Sequence, residues 1–236
     1  MFVIGIEGKT GSGKTTICKY FRDVHHMQTI NVDAMMKENK LWDDLEDIVL
    51  SLKKGNGEHY TRNVVGKERI RSKKASRYIR TAIGVVRLAS KVNKLIEKQL
   101  EDYQAQGVEY VIVDFAKLDV MKCWRKMDAR ILVDRDDASR RKGLKERDGK
   151  GYEEKMKKFD SFLGYGLLRY DERSITHIIE NNGDLQDLHQ QIDGIVAGIK
   201  IQKRRKDFRR EIRSQGGCLE KLAHGIGKLV RENWGR

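Results

Sequence analysis

The sequence predicts a three-layer α/β fold, in which a parallel sheet lies between helices and a basic helical extension follows. Short apolar runs alternate with longer stretches whose apolar residues recur at helical spacing. Strands that alternate with helices pair in parallel, because each crossover helix returns the chain to the same end of the sheet. We therefore expect one domain over residues 1–199 and an extension over residues 200–236.

Five short apolar runs are the predicted strands. They are residues 2–7, 28–33, 110–114, 130–134 and 175–179. A glycine-rich segment separates the first strand from a helix over residues 14–23. The turn residues Asn181, Asn182 and Gly183 end the last strand, and a closing helix keeps its apolar residues at 3.6-residue spacing up to Ile199.

Two stretches between the strands are predicted to be mostly helical. In residues 34–106, one apolar stripe covers Leu41 to Leu52 and a second covers Val85 to Ile96. We interpret this stretch as an acceptor-binding region. Residues 136–172 are highly charged, and we interpret them as a lid. The extension is predicted as a helix that breaks at Gly216-Gly217.

Composition narrows the classes of protein to consider. The net charge is +14, and residues 200–236 carry twelve Lys/Arg against four Asp/Glu. This balance suits polyphosphate ligands and also nucleic acid. The three cysteines form no CxxC pair, so no zinc site or disulfide framework is indicated. No apolar run approaches the roughly 20 residues of a membrane helix, and no signal peptide is evident, so we expect a cytoplasmic protein without a membrane partner.

The glycine-rich segment carries the strongest motif. Residues 8–15 match GxxxxGK[ST], with a strand before them and a helix after them. In such a P-loop the backbone N–H groups and the helix N-terminus bind phosphate. Lys14 is predicted to reach the β- and γ-phosphates of ATP, and the Thr15 hydroxyl to bind Mg²⁺. The predicted ATP-binding residues here are Gly8, Lys9, Thr10, Gly11, Ser12, Gly13, Lys14, Thr15 and Thr16.

Carboxylates at the ends of three predicted strands are candidates for the chemistry. Asp114 is predicted to hold Mg²⁺ together with Thr15, and Asp134 competes for that role. Asp33, at the end of the second strand, can accept a proton from an attacking hydroxyl group. Each of these residues has a structural alternative, because an aspartate before a helix also serves as its N-cap.

The order of these motifs resembles that of the dephospho-CoA kinase family over about residues 3–199. The matching segments are Ile4-Gly-Ile-Glu-Gly8, Gly11-Ser-Gly-Lys-Thr15, Asn31-Val-Asp33, Val111-Ile-Val-Asp114, Ile131-Leu-Val-Asp134, Leu144-Lys-Glu-Arg147-Asp148-Gly149 and His177-Ile-Ile-Glu-Asn181-Asn182-Gly183. The chain departs from the family at Asn31, where an aspartate is usual, and at Arg140, Gly143 and Ala116-Lys117-Leu118.

The resemblance implies specific roles for several residues. Asp33 would be the base that acts on the ribose 3′-hydroxyl of dephospho-CoA. Arg147 would be a lid arginine near the transferring phosphate. The turn formed by Asn181, Asn182 and Gly183 would lie near the adenine of ATP.

The acceptor side leaves alternatives open. Four basic residues at helical spacing could clamp the phosphates of an acceptor, namely Arg69, Lys73, Arg77 and Arg80. A nucleoside or nucleotide monophosphate kinase, including phage-like forms, would share the same motifs. A polynucleotide kinase or nucleic-acid-binding NTPase would use the basic extension to bind nucleic acid. The sequence does not indicate the oligomeric state.

Overall fold

The computed structural model describes residues 1–41, 73–115, 122–154, 156 and 174–234. The strands in these residues are β1 (Phe2–Glu7), β2 (Gln28–Asn31), β3 (Tyr110–Asp114), β4 (Ala129–Asp134) and β5 (His177–Glu180). The helices are α1 (Lys14–His25), α2 (Val32–Glu38), α3 (Lys73–Ala105), α4 (Asp137–Asp148) and α5 (Leu185–Trp234), with a short 3₁₀ helix at Lys122–Lys126.

The sheet is parallel, as the sequence predicts. Its strand order is β2-β3-β1-β4-β5, and every pair of neighbouring strands runs in the same direction. The central strand is β1, which pairs with β3 on one side and β4 on the other. The carboxyl ends of all these strands therefore meet at one edge of the sheet, which is where α/β proteins bind their ligands.

Helices cover both faces of the sheet. On one face, α2 and α3 pack against alternate strand residues such as Val111 and Val113. The predicted stripe of α3 is confirmed there, because Leu88, Val92 and Ile96 are buried. On the other face, α1 buries Ile17, Cys18 and Phe21. The first turns of α5 lie beside α1, since the His189 ring stacks on Tyr20 with 3.8 Å between ring centroids.

Strand β2 ends earlier than predicted. It stops at Asn31, and Val32 and Asp33 belong to the first turn of α2. The physical reason is a helix cap, because the Asn31 side chain accepts a hydrogen bond from the backbone N–H of Ala34 at 2.7 Å. The last strand is also displaced, since β5 covers His177–Glu180 instead of residues 175–179.

The predicted break at Gly216-Gly217 is wrong, because α5 continues unbroken from Leu185 to Trp234. A glycine inside a helix costs only about 1 kcal/mol, and this chain has no proline to end the helix. The chain divides into two units, Met1–Ile192 and Asp193–Arg236, whereas the sequence-based boundary lies at residues 199 and 200. No helix in the described part of the chain is long and apolar enough to cross a membrane.

An ion pair is buried beneath the end of β1. Glu7 is fully buried, and its carboxylate accepts a hydrogen bond from the guanidinium group of Arg130 on β4, which is also buried. The same guanidinium donates to Ser174 and lies over the ring of Trp124. Because Glu7 directly precedes Gly8, this pair fixes the point at which the chain leaves the sheet.

Replacing Glu7 with alanine is expected to destabilise the fold strongly. Removing one partner of a buried pair leaves the other charge without compensation, at a cost of about 3–5 kcal/mol. Urea unfolding measures this difference. The matched control is Glu97→Ala, which breaks an exposed pair with Lys126 and is expected to cost less than about 1 kcal/mol. Similar losses in the two variants would contradict a structural role for the buried pair.

Candidate active site

The segment between β1 and α1 is shaped by glycines whose backbone other residues rarely adopt. Gly11 and Gly13 have φ angles of 80° and 98°. A side chain at Gly13 would collide with the Asn181 amide, and one at Gly11 would approach Leu144 Cγ to 2.8 Å. Helix α1 begins without a side-chain cap and has no acidic residue in its first turn. Its N-terminus thus keeps the positive potential that favours phosphate.

Side chains from the second half of the chain hold this loop in place. The amide of Asn181, which directly follows β5, donates to the carbonyl of Ser12 at 2.8 Å. Arg140 of α4 is fully buried and donates from Nε to the carbonyl of Thr10 at 3.0 Å. Arg135, after β4, lies 3.5 Å from the carbonyl of Gly11. The loop is therefore ordered by contacts that no local sequence pattern encodes.

Lys14 lies over the loop. Its amino group donates to the carbonyls of Gly8 at 2.8 Å and Lys9 at 3.2 Å. Burial lowers the pKa of Lys14 from its ordinary value, while the nearby carboxylates of Asp114 and Asp33 oppose this effect. Lys14 is consequently a desolvated cation that two carboxylates help to keep charged.

Asp114 lies in a buried position at the end of β3. Burial raises its pKa to about 6, with a further increase from Asp33, while Lys14 and a hydrogen bond from Cys18 act in the opposite direction. The amide of Asn31 lies 3.4 Å from its Oδ2 atom. Asp114 is therefore a desolvated carboxylate beside the cation of the P-loop.

Asp33 lies in the first turn of α2, facing the same region. Its side chain is exposed, yet the surrounding protein raises its pKa through desolvation, and Lys14 acts against this shift. The cap of α2 is Asn31. The structural alternative for Asp33, a role as the helix cap, is thus taken by another residue. The fold brings Asp33, Asp114 and Lys14 within electrostatic reach of one another.

The other predicted metal residues lie nearby but differ in environment. Thr15 is exposed in the first turn of α1, as is the neighbouring residue Thr16, which was predicted to bind ATP and not the metal. Asp134 is also exposed, and its carboxylate accepts a hydrogen bond from the backbone of Arg135 at 3.0 Å. Asp114 therefore differs from Asp134 in being buried and in interacting electrostatically with Lys14.

The predicted lid residue Arg147 and the predicted turn residues Asn182 and Gly183 lie on elements that also contact the P-loop. Arg147 lies in the last turn of α4, where it makes two 2.9 Å hydrogen bonds to Asp148. It follows Arg140 by seven residues, so it lies on the same helix face, about 10 Å further along. Asn182 accepts a hydrogen bond from the backbone of Asp136 at 2.9 Å, and Gly183 continues the same turn.

The structure describes only some of the predicted acceptor-binding residues. Lys73, Arg77 and Arg80 belong to the first turns of α3, while Arg69 lies outside the described residues. Most of the apolar stripe from Leu41 to Leu52 and the lid beyond residue 156 also lie outside them.

The donor set at the loop fits a nucleotide with Mg²⁺. No cluster of three or more His, Cys, Asp or Glu side chains in the described ranges could hold a metal alone. Magnesium in kinases is bound through one or two protein oxygens together with phosphate oxygens, so it needs no such cluster. An uncapped helix N-terminus, a cation and the oxygens of Thr15 and Asp114 provide what this arrangement requires.

Three residues at this site were not assigned a functional role from the sequence, namely Asn31, Arg135 and Arg140. A fourth, Asn181, was placed in the turn expected near the adenine of ATP, but its contact with the P-loop was not predicted. Asn31 carried a local signal, because an asparagine before a run of helix-forming residues is a typical N-cap. The other three act on the backbone of a loop more than 120 residues away. Only the three-dimensional fold reveals such contacts.

Comparison with known proteins identifies a shared fold. No family model matches the chain, and no curated protein matches it. Among solved structures, TT1252 from Thermus thermophilus is 18% identical, with a TM-score of 0.54 over 84% of this chain and 97% of that one. Shikimate kinase from Acinetobacter baumannii is 12% identical, with a TM-score of 0.48 over 84% and 94%. Dephospho-CoA kinase from Campylobacter jejuni is 15% identical, with a TM-score of 0.41 over 84% and 96%.

The comparison with TT1252 bears on the fold alone, because the sequence identity is low. The matched region includes nearly all of TT1252, and the parallel sheet and the loop of this chain are observed directly. The chain therefore has the three-layer α/β P-loop fold.

Titration of Asp114 is expected to affect the stability of the ligand-free protein. Its pKa is raised from 3.8 to about 6, so the folded protein holds this proton more tightly than the unfolded chain. Stability is therefore expected to fall as the pH rises from about 4 to about 6, by up to about 3 kcal/mol. Asp114→Asn removes this contribution.

Urea unfolding across this pH range measures the effect as a difference between the wild type and Asp114→Asn. The control Asp134→Asn, at the exposed end of β4, is expected to keep the wild-type profile. Identical pH profiles for wild type and Asp114→Asn would show that Asp114 has an ordinary pKa.

Proposed function

We propose that the chain is an ATP-dependent phosphotransferase with a small-molecule acceptor, and that this acceptor is the ribose 3′-hydroxyl of dephospho-CoA. The observation that carries the proposal is the convergence of Lys14, Asp33 and Asp114 beside the P-loop. One cation and two carboxylates with raised pKa values meet there, at the carboxyl edge of the sheet. Perturbed titratable groups of this kind are typical of functional sites.

Each residue has a defined role in this reaction. The loop backbone and the N-terminus of α1 bind the β- and γ-phosphates, and Lys14 balances the negative charge that develops during transfer. Thr15 and Asp114 would hold Mg²⁺, which would neutralise phosphate charge. Asp33 takes the proton of the acceptor hydroxyl group. At the same time the hydroxyl oxygen bonds to the γ-phosphorus of ATP, and the bond between that phosphorus and the β,γ-bridging oxygen breaks to release ADP.

The position of Asp33 favours a hydroxyl acceptor. A neutral hydroxyl must lose a proton when it attacks, and a carboxylate with a raised pKa is a stronger base than an ordinary one. A nucleoside monophosphate is already an anion, so it needs no such base. Asp33 therefore supports an alcohol acceptor such as dephospho-CoA over a nucleoside monophosphate acceptor. A nucleoside or nucleotide monophosphate kinase is the second candidate function. A polynucleotide kinase is the third candidate function, because residues 200–236 carry an excess of basic residues that could bind nucleic acid.

A panel of acceptors tests the proposal directly. Purified protein with ATP and Mg²⁺ is assayed against dephospho-CoA, nucleoside monophosphates, deoxynucleosides and a 5′-hydroxyl oligonucleotide. We expect turnover with dephospho-CoA and its loss in Lys14→Ala, with Lys19→Ala on the same helix as the control. Transfer to a different acceptor would reject dephospho-CoA as the substrate but would support the phosphotransferase activity. Unchanged turnover in Lys14→Ala would overturn the P-loop mechanism.

Asp33→Asn is expected to lower turnover while leaving ATP binding nearly unchanged. The variant keeps the shape of the side chain and removes the proton acceptor, which is worth about 10²–10⁴-fold in kcat. Steady-state kinetics with a hydroxyl acceptor measures the loss. Because Asn31 caps α2, a damaged helix cap would not explain it.

The matched control for this experiment is Asp23→Asn. Asp23 is an exposed aspartate on α1 that pairs with Arg22, away from the P-loop cation. It is expected to retain wild-type turnover. A nearly silent Asp33→Asn variant in an otherwise active enzyme would reject Asp33 as the base and favour a monophosphate acceptor.

A further inference from the structure

The second unit, Asp193–Arg236, presents an apolar stripe that the proposed kinase reaction does not use. Ile201, Phe208 and Ile212 on α5 are 52%, 62% and 50% exposed. With 3.6 residues per turn, the three positions lie within about 40° of one another around the helix axis. In the sequence, Leu219, Leu222 and Ile226 continue the same spacing. Large apolar side chains exposed along one helix face indicate a binding surface.

The rest of this helix is cationic. Residues 200–214 contain eight Lys/Arg and only two Asp/Glu. Arg204 and Arg205 are exposed and flank the stripe on its two sides. The remaining six cations of this segment lie between about 80° and 180° from the stripe, at Lys200, Lys203, Lys206, Arg209, Arg210 and Arg213.

We propose that α5, over residues 200–214, binds the surface of an anionic lipid bilayer, with its apolar stripe in the interface and its flanking arginines at the lipid phosphates. A helix with a narrow apolar face and a strongly basic polar face is the form that lies in a membrane interface. The apolar residues enter the acyl boundary. Long cationic side chains beside them extend toward the headgroups.

Two other occupants would use only half of this surface. Nucleic acid would pair with the cations, since its binding is dominated by phosphate contacts, and would leave Ile201, Phe208 and Ile212 in water. A second copy of the chain would cover the stripe. It would also bring together two copies of residues 200–236, which each carry a net charge of +8 and would repel one another. Of these three occupants, only an anionic bilayer complements both the stripe and the charge.

This inference differs from the expectation of no membrane partner drawn from the sequence. That expectation followed from the lack of an apolar run long enough to span a bilayer. A helix that lies along the surface needs only one apolar face. The two statements concern different modes of membrane association.

The test uses the full chain and vesicles of phosphatidylcholine, with or without phosphatidylglycerol. Wild type is expected to co-sediment only with the anionic vesicles. The stripe variant Ile201→Ser/Phe208→Ser/Ile212→Ser keeps every charge and is expected to bind more than about tenfold less tightly. The charge variant Arg204→Gln/Arg205→Gln/Arg209→Gln keeps the stripe and is expected to bind roughly 100-fold less tightly.

The control variant Arg87→Gln/Lys94→Gln/Lys98→Gln removes the same charge from exposed positions on α3 and is expected to bind as wild type does. Circular dichroism and urea unfolding establish that each variant is folded. These readouts keep the membrane inference separate from the kinase proposal, which can fail without affecting vesicle binding.

Three results would overturn the inference. Absence of wild-type binding to anionic vesicles rejects it outright. Binding that only the charge variant weakens, together with binding to an oligonucleotide, identifies a nucleic-acid surface. Self-association in sedimentation equilibrium that only the stripe variant abolishes identifies a second copy of the chain as the occupant.

Discussion

The charge of Lys14 is the feature on which the rest of the site depends. Its ammonium group is desolvated over the P-loop, and burial alone would favour the neutral amine. Asp114 and Asp33 oppose this tendency, and both carboxylates are themselves desolvated. Lys14 in turn favours the charged form of both carboxylates, whereas Asp33 disfavours the charged form of Asp114. A phosphate group entering this site would meet a cation held in place before it arrives, which is the preorganisation that phosphoryl transfer requires.

The parallel sheet is what brings these three groups together. Lys14 follows β1, Asp114 ends β3, and Asp33 follows β2 in the first turn of α2. These three strands are neighbours in the order β2-β3-β1, so their carboxyl ends open side by side. Residues far apart in sequence thus share one edge of the sheet. The other side of β1, with β4 and β5, supplies Arg140 and Asn181, which hold the loop backbone.

The fold and the loop could be predicted from the sequence because their signals are local. Apolar runs, helical spacing and the GxxxxGK[ST] motif each lie within a short segment. The boundary at Asn31 was missed because Val32 continues the apolar run, while the cap that ends the strand depends on one side-chain hydrogen bond. The roles of Arg140 and Asn181 could not be predicted, since they act on carbonyl groups more than 120 residues away. The unbroken α5 shows that adjacent glycines do not end a helix by themselves.

Under the proposed function, the nucleotide side of the site is separate from the acceptor side. Contacts from α4 and the turn after β5 fix the loop, whereas Asp33 lies on α2, which follows strand β2 at the edge of the sheet. The side chain of Asn31 connects the two sides. Its Oδ1 atom caps α2, and its Nδ2 atom lies against the carboxylate of Asp114. An aspartate at this position would cap α2 equally well, but it would place a third carboxylate against Asp114. The asparagine therefore positions α2 without adding negative charge to a site that must attract phosphate. Under the proposed function, this division would let the acceptor side change while the P-loop stays intact.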